Sequence, residues 1–225
     1  MKQMQSFETI YEAAVDIKGG IDTLEAILPI PRTKKELNKL SDDFCLSNMS
    51  RRIFQAGLNR KIIDNKWPAF EEVFHQFDIN AVRMMSDDAL QKLMDEKRIV
   101  RHWGKIQSVR YNAQTIYEFN EEEGGFINYL AEWPSDNIVE FWDVLKKRFK
   151  QLGGASGPYF LRRIKKDTFF LTQDVIRAMA RWGAIDEEPK NKKQKRHVQD
   201  CMNVWQKESQ RPYCQLSMIL ACSID

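Results

Sequence analysis

The chain is organised around one glycine-rich stretch, Leu152-Gly153-Gly154-Ala155-Ser156-Gly157-Pro158. Glycine permits tight turns and a close approach of the backbone to a ligand, and proline is favoured in the first turn of a helix. The stretch therefore predicts a hairpin, followed by a helix that starts at Pro158. Exposed backbone N–H groups at such a turn and at a helix N-terminus bind anions, so we expect the hairpin to hold a phosphate oxygen. An ordinary helix-helix turn with a glycine hinge is the simpler interpretation.

The segments on either side of the hairpin occur in a specific order. Downstream lies the segment Thr172-Gln173-Asp174-Val175-Ile176-Arg177. Upstream lie Phe54-Gln55-Ala56-Gly57-Leu58, Trp67-Pro68 with Phe70, Phe74-His75-Gln76-Phe77-Asp78, and Arg98-Ile99-Val100-Arg101-His102-Trp103-Gly104-Lys105-Ile106-Gln107 with Asn112-Ala113. In this order the hairpin and its downstream segment resemble the helix-hairpin-helix DNA glycosylases. The upstream motifs resemble the 3-methyladenine DNA glycosylase I family, and the likeness extends to about Trp182.

The resemblance implies an all-α fold of the helix-hairpin-helix DNA glycosylase type, in which a cleft lies between two helical lobes. Residues 1–225 are then a single glycosylase-like unit. Residues 48–150 approximately form a six-helix-type lobe with a loop that enters the DNA. Residues 1–47 and 151–225 approximately form the second lobe, which carries the hairpin.

Hydrophobic periodicity independently favours helices along the whole chain. The capping-box sequence at Thr33 predicts a helix that runs to about Leu46, and another helix is expected from about Ser47 to Gly57. The longest amphipathic segment predicts a helix from Arg101 to Phe119 with a basic first turn. Since no segment shows sustained alternation of polar and apolar residues, no sheet is expected.

Composition limits the classes to which the protein can belong but does not decide its function. The chain has 225 residues, 30% charged and 43% hydrophobic, which is ordinary for a soluble globular protein. We expect a cytoplasmic protein, because no apolar segment is long enough to span a membrane or to serve as a signal peptide. The formal net charge of +3 is compatible with nucleic acid without arguing for it. The four cysteines lack Cys-x-x-Cys spacing, so reduced, packed thiols are expected.

The resemblance assigns a DNA-wedging role to the loop that contains Gln55, Gly57 and Leu58. In the family the corresponding loop inserts into the base stack when a nucleotide is turned out of the duplex. A flexible glycine followed by an apolar leucine suits that role. The structural alternative is a helix C-cap followed by a core leucine.

Further DNA contacts are expected at the hairpin and at the start of the long helix. The hairpin candidates are Gly153, Gly154, Ser156 and Gly157. Cations in the first turn of a helix interact unfavourably with the helix dipole unless an anion lies nearby. Arg101 and Lys105 are therefore also candidates for DNA contact.

A base held outside the duplex requires a pocket. An N-alkylated adenine carries a positive charge on its ring, so aromatic faces and a negative charge are expected to hold it. The candidates for the base pocket are Arg52, Phe54, Trp103 and Tyr159, although each aromatic side chain is individually more typical of a core. Arg52 departs from the family, because it aligns with the glutamate that recognises the base there.

Asp174 is the expected catalytic residue. Its carboxylate would face the oxocarbenium-like sugar or orient the attacking water. Matching Val175-Ile176-Arg177 without a gap places Thr172 at the position of the superfamily aspartate, so Asp174 takes the role only with a shift in register. Alternatively, Asp174 is a first-turn residue that merely stabilises its helix.

No cofactor and no metal are expected. The cysteine and histidine zinc ligands of the family lack counterparts, since neither residue type precedes Cys45. Lyase activity is not expected either, because Pro158 stands where bifunctional relatives keep a lysine nucleophile.

The expected function is that of a monofunctional DNA glycosylase in base-excision repair. It would act as a monomer on double-stranded DNA, away from membranes, and would flip and excise an alkylated purine of the 3-methyladenine type. The alternative is a DNA-binding helix-hairpin-helix protein that has lost glycosylase activity, which Arg52 and Thr172 motivate. A purely structural helical adaptor would explain the periodicity but not the ordered motifs.

Overall fold

The computed structural model describes residues 3–224 and is helical throughout its regular structure. Fourteen α-helices and two single-turn 3-10 helices follow one another in this range, which contains no strand. The all-α fold expected from the sequence is confirmed. Within the same residues, no helix is both long and apolar enough to cross a membrane. The chain divides into two compact units.

The first unit comprises the chain up to Arg32, Pro134–Glu140, and the chain from Lys165 onward. Its helices are α1 (Phe7–Lys18), α2 (Ile21–Ile27), α12 (Gln173–Arg181), α13 (Lys192–Ser209) and α14 (Tyr213–Cys222), with a 3-10 turn at Ser135–Asn137. Helix α14 is the central element, since α1, α12 and α13 all pack against it. Asp167 caps the N-terminus of α14, because its carboxylate accepts hydrogen bonds from the amides of Tyr213 (3.1 Å) and Cys214 (2.8 Å). Those amides lack a partner within the helix.

The second unit comprises Thr33–Trp133 and Phe141–Ile164. Its helices are α3 (Lys34–Leu37), α4 (Asp42–Gln55), α5 (Arg60–Val73), α6 (Ile79–Arg83), α7 (Asp87–Lys92), α8 (Trp103–Glu122), α9 (Phe126–Glu132), most of α10 (Ile138–Arg148) and α11 (Ser156–Arg163), with a 3-10 turn at His75–Phe77. Helix α10 begins in the first unit and continues in the second. The longest helix, α8, packs against α4, α6, α7 and α9 and is the axis of the unit.

Aromatic side chains fill the core beneath α4 and α5. The ring of Phe54 lies 4.5 Å from that of Phe70, and Trp67 stacks on Phe70 at 5.1 Å and on Phe77 at 5.4 Å between centroids. Aromatic side chains bury the most apolar area per residue, so this cluster is a main source of stability for α4 and α5.

Some helix boundaries differ from the sequence-based ones. The helix that begins at the capping box of Thr33 ends at Leu37, because Ser41 caps a new helix by accepting a hydrogen bond from the amide of Phe44 (3.1 Å). The expected break near Ser47 does not occur, and α4 runs unbroken to Gln55. Helix α11 starts at Ser156, which places Pro158 within its first turn instead of at its start.

The division into units also bears on the hairpin. Residues 152–157 fall in the second unit, together with residues 55–58. The sequence-based boundaries assign these two segments to different lobes. The hairpin and the loop at residues 55–58 therefore belong to the same compact unit.

We predict that the native protein has no reactive thiol. All four cysteines are free and buried, and burial raises the pKa of the Cys201 thiol to about 11, with the charge of Asp200 adding to the effect. Because the thiolate is the reacting species, a chromogenic disulfide reagent at mildly alkaline pH should titrate no thiol in the native protein. The same reagent should titrate four after denaturation. Rapid reaction of the native protein would contradict the packing described.

Candidate nucleic-acid interface

Residues 56–59, here called the wedge loop, connect α4 to α5. Gly57 has φ of +75°, a conformation that side chains disfavour, and a Cβ added there would meet nothing within 4 Å. Leu58 is 44% exposed, although its amide donates to the Gln55 carbonyl at 3.2 Å. The loop therefore presents an apolar side chain to solvent, and the alternative of a core leucine does not apply.

Lys105 anchors the wedge loop. Its ammonium donates to the carbonyl oxygens of Ala56 (2.6 Å) and Phe54 (3.4 Å), and the residue is only 8% exposed. The last carbonyls of a helix lack internal partners and carry partial negative charge, so a cation is stabilised there. Burial, and then the charge of Arg52, lower the pKa of Lys105. The expectation that Lys105 contacts DNA directly is corrected, because its ammonium is occupied inside the protein.

Gln55 is likewise turned inward. It is 8% exposed, and its amide nitrogen donates to the carboxylate of Asp64 at 2.8 Å. The same carboxylate oxygen accepts from Nε of Arg51 at 2.8 Å and forms an ion pair with its Nη2 at 2.7 Å. Gln55 thus supports the loop from within, which corrects the expectation of a direct DNA contact.

Asp64 is the one carboxylate of an arginine cluster that we define as Arg51, Arg52, Arg60, Arg163 and Asp64. Burial acts to raise the pKa of Asp64, but the hydrogen bond from Arg51 and the charges of Arg51, Arg163 and Arg60 hold it below its ordinary value. The Arg60 side chain is 78% exposed and reaches Asp64 at 3.8 Å. Nε of Arg163 donates to the Asn48 side chain at 2.8 Å, and burial lowers the pKa of this guanidinium. Four cations around one carboxylate give this surface a positive potential.

Arg52 and Tyr159 form a cation–π pair within this cluster. The guanidinium carbon of Arg52 lies 4.3 Å from the centroid of the Tyr159 ring. The Nε atom of Arg52 is buried and has no hydrogen-bond partner, and Arg52 forms no ion pair within residues 3–224. Burial lowers the pKa of Arg52, Tyr159 acts to raise it, and Arg60 lowers it further. Two candidates for the base pocket are thus brought into contact.

The other two aromatic candidates are placed differently. Phe54 is fully buried against Phe70, so its assignment to a pocket wall is corrected. Trp103 is partly buried and is the first residue of α8.

The hairpin has the tight geometry that its glycines predict. Gly154 has φ of +60°, and a Cβ on Gly157 would come within 3.0 Å of the Leu152 carbonyl oxygen. Gly153 is partly buried, whereas Ser156 and Gly157 are buried, so the latter two support the turn rather than face solvent. Gly154 and Ala155 are exposed, and their amides donate no hydrogen bond to any of residues 3–224. These two amides remain available to an external acceptor.

Asn112 fixes the entrance to the hairpin. Its side-chain oxygen accepts from the Lys150 amide at 2.8 Å, and its nitrogen donates to the Lys150 carbonyl at 3.2 Å. The residue is fully buried on α8. Sequence reasoning gave Asn112 no role, although an amide side chain on the apolar face of a predicted helix was the available signal.

A basic surface pocket of about 440 Å³ adjoins the hairpin. Its lining includes Gly104 and Gln107 of α8 together with Lys150 and Gln151. The Lys150 ammonium lies 4.9 Å from the centroid of Tyr111, a ring that is 45% exposed. Arg101 is also exposed, in the segment just before α8.

Asp174 lies in the first unit, in the first turn of α12. It is exposed and forms an ion pair with Arg177 at 2.7 Å. Thr172 is the N-cap, and its hydroxyl accepts from the Val175 amide at 3.3 Å. This local geometry is that of a first-turn carboxylate that stabilises its helix. Within residues 3–224, no three His, Cys, Asp or Glu side chains form a metal-binding group.

Comparison with known proteins decides the family. The model of the methyladenine glycosylase family matches residues 3–152, about two thirds of the chain. The chain belongs to the methyladenine glycosylase family. It is a divergent member of that family. The family match ends at Leu152, just before the hairpin glycines.

A curated relative agrees with the family assignment. DNA-3-methyladenine glycosylase 1 of Escherichia coli strain K12 is 29% identical over 101 residues, which are 45% of this chain and 50% of that protein. The chain thus matches about half the length of this curated relative.

Solved structures also resemble the fold, and two of them illustrate the likeness. An 8-oxoguanine glycosylase/lyase of Methanocaldococcus jannaschii, crystallised with DNA that contains 8-oxoguanine, has a TM-score of 0.52 at 12% identity and covers 94% of each chain. A mutant 3-methyladenine DNA glycosylase I of Staphylococcus aureus has a TM-score of 0.50 at 20% identity and covers 64% of this chain and 84% of that one. At these identities the likeness concerns the fold alone, which is that of the helix-hairpin-helix DNA glycosylases.

We predict that Asn112→Ala destabilises the second unit by about 1–3 kcal/mol, because the Lys150 amide and carbonyl lose their partner in a buried site. Unfolding by urea, followed by circular dichroism, measures the loss. Glu121→Ala, an exposed change on the same helix, should shift the free energy of unfolding by no more than about 0.5 kcal/mol. Equal effects of the two substitutions would show that Asn112 does not hold the hairpin.

Proposed function

We propose that this protein is a DNA glycosylase that turns a modified purine out of duplex DNA and hydrolyses its N-glycosidic bond. The observation that carries the proposal is the wedge loop: an exposed Leu58 on a segment that buried Lys105 holds in place. Membership of the methyladenine glycosylase family supports the reaction class.

Each element has a part in this proposal. Removing a base from the stack costs a few kcal/mol, and an apolar side chain that fills the vacated space offsets part of this cost. Leu58 is suited to fill that space because it is apolar and exposed, and because Lys105 holds the loop that carries it. The exposed amides of Gly154 and Ala155, at the N-terminus of α11, are suited to bind a backbone phosphate. The positive arginine cluster adds attraction for the DNA strand.

The catalytic group in this proposal is Asp174. Its carboxylate would stabilise the positive charge that develops on the sugar, or would orient the water that replaces the base. Family membership favours an alkylated purine of the 3-methyladenine type as the substrate. The charge of Arg52 disfavours a cationic base, because such a base would meet a cation beside the Tyr159 ring.

A second candidate function is a DNA-binding protein that has lost the chemistry. It is favoured by the exposure of Asp174, by its ion pair with Arg177 and by the capping role of Thr172. Release of a free base from duplex DNA distinguishes the two functions. Binding in both cases should weaken as salt is added, with a slope of about −0.9 in log K against log salt per phosphate contact.

We predict that Leu58→Ala slows base release about 5- to 30-fold, because the loss of its apolar contact with the DNA costs about 1–2 kcal/mol. Single-turnover assays on a duplex with one damaged base measure this rate. Ile62→Ala is the matched control, since Ile62 is 52% exposed on the neighbouring helix α5 and lies outside the wedge loop. If both variants release the base at the wild-type rate, Leu58 is not the wedge.

We predict that Asp174→Asn lowers base release by more than about a hundredfold, with little change in DNA affinity. The matched control is Asp88→Asn. Asp88 is also exposed, and it too stands two residues after a hydroxyl N-cap, Ser86, in the first turn of its helix. The control changes the helix-dipole interaction alone and should leave release unaltered. An unaffected rate in Asp174→Asn would remove this residue from the mechanism.

A further inference from the structure

The Arg52 guanidinium is incompletely bound by the protein. Its guanidinium carbon lies over the Tyr159 ring at 4.3 Å from the centroid, while its Nε atom is buried and lacks a hydrogen-bond partner within residues 3–224. Buried polar atoms without a partner are rare and costly, so this one calls for an explanation.

Within residues 3–224, no carboxylate forms an ion pair with Arg52. The carboxylate of Asp64 is engaged by Arg51, Gln55 and Arg60. The cation that acts on Arg52 is Arg60, and Arg52 acts in turn on the cation Lys105. A second cation brought to this point would be repelled, whereas an acceptor or an anion would be attracted.

The pair also lies where the proposed function needs a base to be held. Arg52 is on α4, three residues before that helix ends at the wedge loop. Tyr159 is on α11, two residues after the last hairpin glycine, and α4 and α11 pack together. Tyr159 remains 37% exposed.

We propose that Arg52 and Tyr159 recognise a neutral purine that presents its O6 and N7 acceptors, such as hypoxanthine, rather than a cationic N-alkylated adenine. A planar guanidinium donates two parallel hydrogen bonds to O6 and N7, as arginine does to guanine in DNA. The Tyr159 ring, 4.3 Å from the guanidinium carbon, is suited to hold the guanidinium in place while the guanidinium edge donates to the base. Hypoxanthine pairs weakly in a duplex, so it is turned out at a lower cost than guanine, which presents the same acceptors. This inference rests on the proposed function, since it assumes that the base is presented beside the wedge loop.

The test compares three duplexes that differ at one position. One carries hypoxanthine, one carries 2-aminopurine, which is neutral and lacks the O6 atom, and one is methylated to give 3-methyladenine. Binding and base release are both measured with the full chain. We expect hypoxanthine to be preferred about tenfold to a hundredfold over the other two, the discrimination that one bidentate arginine contact provides.

The variants isolate the arginine fork. Arg52→Met retains the apolar stem and should abolish the preference for hypoxanthine. Arg52→Lys retains the charge but not the fork, so it should also lose the preference, and it serves if Arg52→Met fails to fold. Arg60→Met is the matched control, because Arg60 is an exposed cation of the same cluster. It should weaken binding of all three duplexes equally.

Each outcome separates this inference from the proposed function. Faster release of 3-methyladenine than of hypoxanthine would overturn the inference and leave the glycosylase proposal standing. Preferential binding of the hypoxanthine duplex that depends on Arg52, without release of any base, would support the inference and reject the chemistry. Absence of both release and preference would reject both.

Discussion

The contact on which the candidate interface depends is the one between the buried ammonium of Lys105 and the carbonyl oxygens that end α4. A helix terminus leaves these oxygens without donors, and a side chain from α8 supplies one. The long central helix thus holds the end of α4 and fixes the point where the wedge loop leaves it. The same helix, through Asn112, holds the residue that leads into the hairpin. Two segments far apart in sequence are therefore fixed to one rigid element.

The arrangement of charge around this contact is costly by the ordinary rules of stability. Burial lowers the pKa of both Lys105 and Arg52, and a neighbouring cation adds to the effect: Arg52 beside Lys105, and Arg60 beside Arg52. The cluster holds one carboxylate for four arginines. Structural ion pairs are normally balanced, whereas excess charge of one sign is typical of surfaces that meet an oppositely charged partner. The aromatic core of Phe54, Trp67 and Phe70 beneath α4 and α5 offsets that cost.

Sequence reasoning predicted the helical class, the hairpin and the exposed loop, because these follow from residue type and spacing. Gly57 and Gly157 occupy a positive φ and a close backbone approach, for which glycine is the expected residue. It was wrong about Lys105 and Gln55, because spacing does not reveal which side of a helix end faces a neighbouring helix.

The remaining differences have similar causes. The burial of Phe54 was foreseeable only from the general tendency of aromatic residues to lie in the core. Asn112 belonged to the family motif but received no structural role, because its partners are backbone atoms distant in sequence. The helix that begins after Thr33 ends at Leu37 because Ser41, four residues on, caps the next helix. The pattern of apolar residues does not show whether one helix or two will form there. Asp174 shows the limit most clearly, since a first-turn carboxylate and a catalytic one have the same local sequence. Fold and family follow from ordered motifs, but chemistry depends on contacts that only the folded chain defines.

The charge of Arg52 affects both the choice of substrate and the step in which the base leaves the sugar. A base that is already cationic leaves the sugar as a neutral molecule and needs little help. A neutral purine leaves with the bonding electrons, so negative charge develops on its ring and is shared by N7 and O6. Donors placed at those two atoms stabilise that charge more than they stabilise the bound ground state, which is the condition for a gain in rate. In the proposed complex, Arg52 would therefore contribute to catalysis as well as recognition. A cation at this position is consistent with retained activity provided that the base is neutral, and its partly buried site strengthens the effect because water is less able to screen it.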